Sequence, residues 1–113
     1  MIQRGDIWRA SLPEPIASEP VYRRTVLIVQ SDNFYCSRIA IVSAIVITLN
    51  LMLAQAQGNV LLLSKVTGLV KDSVVNVSQV ITIDRCFLTE LIGTLPTQLL
   101  KQVEVGLRLA LSL

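Results

Sequence analysis

Ile39-Ala40-Ile41-Val42-Ser43-Ala44-Ile45-Val46-Ile47-Thr48-Leu49-Asn50 is the stretch on which the fold turns, because it reads either as the start of a membrane helix or as a buried strand. From Ile39 to Ala56 the only polar residues are Ser43, Thr48, Asn50 and Gln55. The run falls short of the roughly 20 clean apolar residues that span a bilayer. Its first half is rich in β-branched residues, which pack well on a pleated surface and are restricted in a helix. A strand over Ile39 to Thr48, buried on both faces, is the expected reading.

Working outward, Thr25 to Gln30 is almost wholly apolar and stops at Ser31-Asp32-Asn33, the signature of a central strand ending in a turn. It is expected to pair with the run after it. Gly5 precedes a first strand, Asp6 to Leu12, closed by Pro13-Glu14-Pro15, since proline cannot continue a ladder. On the other side, Gly58-Asn59 leads into a strand over Val60 to Leu63, and Val66 to Asp72 reads as a loop. Ser73 to Ile83 alternates, with Val75, Val77, Gln79, Ile81 and Ile83 on one face. From Pro96 to Leu113 the period changes: Leu99, Val103, Leu107, Ala110 and Leu111 form one helical stripe. Val105 and Leu109 lie outside it. Strands first and one helix last predict a small, mainly β, α+β domain.

With 113 residues the chain is expected to be a single domain, residues 1–113, with no linker or repeat. Apolar residues make up 52% and charged ones 16%, more apolar surface than a small monomer readily hides, so a homo-oligomer is expected. The net charge of +2 identifies no partner, because phosphate recognition depends on clustered cations rather than on the total. The chain has no histidine, which excludes histidine acid–base catalysis and histidine metal sites. Cys36 and Cys86 form no CxxC pair and are expected to be buried thiols in a reducing cytosol. The opening Met1-Ile2-Gln3-Arg4-Gly5-Asp6 is not a signal peptide, and no membrane association is expected.

Four stretches occur in a telling order. They are Arg4-Gly5-Asp6-Ile7-Trp8; Ser18-Glu19 followed by Arg23-Arg24-Thr25-Val26-Leu27-Ile28-Val29-Gln30-Ser31-Asp32; Thr48-Leu49-Asn50-Leu51 leading to Gly58-Asn59-Val60-Leu61-Leu62; and Gly68-Leu69-Val70-Lys71-Asp72-Ser73 continuing to Asp84. In this combination the chain resembles the MazF/PemK/Kid family of toxins. It departs from that pattern at Pro20, where the family usually has Gln, at Thr25, where it usually has Pro, and in a strand before Thr48 that is one residue longer.

The resemblance implies a small SH3-like antiparallel β-barrel of the CcdB/PemK type with a C-terminal helix. It implies a sequence-selective endoribonuclease acting on single-stranded RNA in the cytoplasm, working as a homodimer and neutralised by a cognate antitoxin. Arg24 and Thr48 fall on the family's catalytic arginine and threonine. Cleavage through RNA's own 2′-hydroxyl requires a base, a donor to the leaving oxygen, and donors to the phosphate. A planar, permanently charged guanidinium suits the phosphate, so Arg24 reads as an electrostatic clamp and proton donor rather than a base. Glu19 is the candidate base, against the alternative of a solvated loop carboxylate. Arg23, Arg9, Asn50 and Lys71, with Arg38, are candidate RNA contacts, against the alternative of ordinary surface groups. Trp8 and Tyr22 are candidate stacking platforms, although a tryptophan within a strand is more often core. No carboxylate cluster has metal-ligand spacing, so neither a metal nor another cofactor is expected. Two rival readings share the fold: a non-enzymatic gyrase poison of the CcdB kind and an inactive binding domain. The first acts through a terminal Trp-Gly-Ile, whereas this chain ends Leu109-Ala110-Leu111-Ser112-Leu113.

Overall fold

A computed structural model describes residues 2–11, 23–30 and 41–113. Six strands follow one another: β1 (Asp6–Ser11), β2 (Arg23–Ile28), β3 (Ile41–Thr48), β4 (Val60–Leu62), β5 (Ser73–Asp84) and β6 (Leu88–Thr94). A single helical turn, α1 (Ser64–Thr67), precedes β5, and the long helix α2 (Thr97–Leu111) follows β6. Short 3-10 turns occupy Leu51–Gln55 and Arg85–Phe87. The strands form one antiparallel sheet in the order β4-β5-β3-β2-β1-β6. It curls into a half-barrel whose order ends at β4 and β6.

Residues on both faces of this sheet are buried, which is why Val26–Ile28 of β2 and Ala44–Ile47 of β3 read as continuous apolar runs. Ile7, Leu27, Ile45, Ile47 and Val75 join Val103 of α2 in one core, while Ala10, Val26, Ile28, Val42 and Ala44 build a second. Alternate residues of a strand point to opposite faces, so Val26 and Leu27 serve different cores. The expected doubly buried strand is present, with Ile39 and Ala40 outside the described residues. Among the described residues no helix is long and apolar enough to cross a membrane.

β5 departs from simple alternation. Its first five residues are all buried, and only from Ser78 onward do exposed positions alternate. The reason is a bulge: Ile45 pairs with Val80 but Ile47 pairs with Val75, so residues 76–79 stand opposite Val46 alone. Buried side chains satisfy the interrupted ladder. Asn59 Oδ1 accepts from the Val77 N–H at 3.0 Å, its Nδ2 donates to the Leu53 carbonyl at 2.9 Å, and Asn76 Nδ2 donates to Gln79 Oε1 at 2.9 Å.

Three expectations need correction. Val66 and Thr67 belong to α1, which Gly68 ends in a left-handed conformation (φ +81°), so the predicted loop starts only there. The stripe of α2 runs through Leu99, Leu100, Val103, Gly106 and Leu107, whereas Ala110 and Leu111 are exposed. Gly106 is buried because the helix backbone lies directly on Gly58, where a Cβ would overlap the Gly58 carbonyl oxygen. Cys86 is an exposed free thiol, and Cys36 lies outside the described residues. Its side chain approaches Asp84, which raises the thiol pKa, while the Cys86 N–H lowers that of Asp84.

The N-terminal residues are fastened to the other end of the sheet and to α2. The Gly5 N–H donates to the Ile28 carbonyl at 2.8 Å, and the Leu95 N–H donates to the Gly5 carbonyl at 2.9 Å. Arg4 bridges Glu104 of α2 at 2.7 Å and also donates to the Val29 carbonyl. Asp6 accepts from the Gln3 N–H at 2.8 Å and the Thr94 hydroxyl at 3.3 Å.

Candidate functional site

Arg24 is the second residue of β2, inside the strand rather than just before it, and Thr48 is the last residue of β3. Thr25 pairs with Ile47 in the antiparallel ladder, so one further step in the same register sets Arg24 across from Thr48. Directly opposed residues share a face with their Cβ atoms about 5 Å apart. The two residues that the resemblance joins, 24 positions apart in the chain (48 − 24), are thus neighbours at one end of the sheet.

They line a groove of about 440 Å³ together with Arg23, Thr25, Ile47, Leu49 and Asn50. A second groove of about 550 Å³ shares Thr25, Ile47 and Leu49 with the first and adds Arg9, Lys71, Ser73, Glu90 and the 68–70 segment. The two grooves therefore adjoin at the strand ends, where Thr25, Ile47 and Leu49 border both. Among the described residues their combined lining carries four cations, Arg9, Arg23, Arg24 and Lys71, and one carboxylate, Glu90. Clustering of this kind supplies the local positive potential that a net charge of +2 conceals.

Arg24 is buried, with 7% of its surface exposed, and that burial lowers its pKa from the usual arginine value by desolvating the charge. A lowered pKa makes the guanidinium a better proton donor than a solvated arginine. Thr48 is buried too, and its Oγ1 accepts from the Asn50 N–H at 3.1 Å, which fixes the hydroxyl oxygen. Asn50 is exposed and caps the following 3-10 turn, its Oδ1 accepting from the Met52 N–H at 3.2 Å. Arg23 and Lys71 are exposed. Arg9 forms an ion pair with Glu90 at 3.0 Å.

Of the predicted site residues, Arg24, Thr48, Arg23, Arg9, Asn50 and Lys71 line these two adjoining grooves, while Glu19, Arg38 and Tyr22 lie outside the described residues. Trp8 lies in neither groove. It packs on the second core and its indole N–H donates to Asp6 at 3.4 Å. Sequence reasoning missed Glu90 and Ser73. Among the described residues no three of His, Cys, Asp and Glu come together as a metal-binding group.

A curled antiparallel sheet with a C-terminal helix is the fold that solved MazF toxin structures share with this chain. The solved Mycobacterium tuberculosis toxin MazF-mt6 superposes with a TM-score of 0.78 at 24% identity, covering 96% of this chain and 97% of that one. A mycobacterial endoribonuclease solved in complex with its cognate antitoxin gives 0.77 at 19% identity, covering 100% and 97%. These likenesses establish the fold. The model of the PemK-like, MazF-like toxin of type II toxin-antitoxin system matches residues 3–111, and the chain belongs to that family. Endoribonuclease MazF6 of M. tuberculosis is 44% identical over 113 residues, all of this chain and 99% of the relative. Endoribonuclease EndoA of Bacillus subtilis is 34% identical over 115 residues, covering 100% and 97%.

Proposed function

We propose that this chain is a sequence-selective endoribonuclease toxin that cuts single-stranded RNA by attack of a 2′-hydroxyl on the adjacent phosphate. The observation that carries the reading is the side-by-side placement of Arg24 and Thr48 at the head of a four-cation depression. Relatives named endoribonucleases at 44% and 34% identity support the enzyme class.

The 2′-oxygen bonds to phosphorus, its proton passes to a base, and the bond from phosphorus to the 5′-oxygen breaks as that oxygen takes up a proton. The products are a 2′,3′-cyclic phosphate and a 5′-hydroxyl. Arg24 offers a fixed cation to the charge that builds on the phosphate, and its desolvation makes that interaction stronger than it would be in water. Lowering of its pKa also suits it to donate toward the leaving oxygen. Thr48 supplies a positioned hydroxyl, and Glu19 remains the candidate base. Arg9, Arg23, Asn50 and Lys71 hold the strand's phosphates and sugars. No step calls for a metal ion, because the charges on the transition state are met by side chains.

Silencing in the cell would fall to a cognate antitoxin, as in the mycobacterial complex, through an acidic and apolar segment lying in the same depression. Such a toxin would act in the cytoplasm, where mRNA is found.

The test is cleavage of a long mixed-sequence RNA by purified protein. Cuts at a recurrent short motif, persisting in EDTA and leaving cyclic phosphate ends, are expected. A single deoxynucleotide 5′ of the scissile bond should block the cut. Normal cutting of that substrate, or loss of activity in EDTA, would overturn the mechanism.

A further inference from the structure

Among the described residues Glu90 is the one acidic side chain lining either groove, set among four cations that suit phosphates. A carboxylate there repels the RNA backbone, so it is costly unless it meets something else. It stands directly opposite Arg9 in the β1–β6 ladder, and Arg9 stands opposite Thr25, which stands opposite Ile47. The row Glu90, Arg9, Thr25, Ile47 thus crosses four strands on one face and floors the larger groove. That groove, about 550 Å³, falls within the roughly 300–1,000 Å³ typical of small-ligand clefts. Leu91, 50% exposed, and Val70, 89% exposed, give it apolar walls, which suit the flat face of a base better than a phosphate. The pairing with Arg9 at 3.0 Å keeps the carboxylate in place, and an exposed ion pair adds too little stability to explain its position in a site for anions.

We infer that Glu90 selects a base beside the scissile bond, accepting a hydrogen bond from the exocyclic amino group of a nucleobase seated in the larger groove. An ionised carboxylate only accepts. Cytosine, adenine and guanine each present an amino group on the Watson–Crick edge, which is the edge read in single-stranded RNA. Uracil presents one N–H flanked by two carbonyl oxygens that repel a carboxylate. Glu90 therefore disfavours uracil at one position and leaves the others to different parts of the site.

This inference rests on the endoribonuclease reading above. The experiment is cleavage of an RNA pool randomised around a preferred site, comparing the unaltered protein with Glu90→Ala and Glu90→Gln, each checked for folding by far-UV circular dichroism. The unaltered protein should disfavour uracil at one position. Glu90→Ala should cut that preference by about tenfold, the scale of one well-made base contact, with preferences elsewhere unchanged. Glu90→Gln, which keeps an acceptor but adds a donor, should relax it partly and raise the fraction of uracil tolerated. A base profile unchanged in Glu90→Ala at every position, even with a slower overall rate, would overturn the role of Glu90 alone. Failure of the unaltered protein to cut any RNA would overturn the endoribonuclease reading and this inference with it.

Discussion

Arg24 is a charge placed where most strands would place an aliphatic side chain, and its chemistry follows from that location. Arg24→Lys keeps the charge but loses the planar fork that spans two phosphate oxygens. We expect the cleavage rate to fall by about 10²–10³, the cost of losing one strong oxyanion donor. Thr48→Ala should cost less, because a hydroxyl offers a neutral hydrogen bond where the guanidinium offers a charged one. Single-turnover rates of the two variants check the order, and equal losses would count against the assigned roles. Thr48→Ala also removes the acceptor for the Asn50 N–H, so a folding check by circular dichroism belongs with the rates.

At the scale of elements, α2 is held close to the sheet by the contact between Gly106 and Gly58. Gly106→Ala places a methyl group against backbone, which cannot swing aside, so we expect a loss of about 1–3 kcal/mol and a lower melting temperature by several degrees. A thermal melt reads it, and an unchanged midpoint would show that the helix yields freely. The same elements show what could be read from sequence. β2 and β3 announce themselves by their apolar runs, and α2 by a helical period kept over several turns. Arg24, Thr48 and Asn50 were legible because they sit on motifs at the ends of those strands. β6 was not, since register shifts between Ile7 and Trp8 and between Arg9 and Ala10 break its alternation, and its burial follows no period of two. Glu90 was hidden along with the strand that carries it. The end of the α2 stripe was misplaced because Ala110 and Leu111 keep the helical spacing beyond the last residues that the sheet covers. Cysteine is usually buried, so Cys86 reads as a core thiol, whereas its place in a 3-10 turn leaves it exposed.

For the whole molecule, the apolar excess seen in the composition reappears on the surface. Val105 is 63% exposed and Leu109 50%, and both border a groove shared with Gly58 and Val60 beside the contact of α2 with Gly58. We expect a two-fold homodimer in solution, measurable by light scattering, and a monomer with full ribonuclease activity at micromolar concentration would contradict it. The fastening of residues 3–6 to residues 94–104 also sets a clock on synthesis. Asp6 and Thr94 are 88 positions apart, a stretch that takes several seconds to translate at about 5–20 residues per second. Until then β1 lacks β6, Arg9 lacks Glu90, and α2 has not arrived to brace Arg4. A nascent chain therefore emerges from the ribosome with its cationic grooves unfinished, and they gain their last wall only once residues 88–104 have followed.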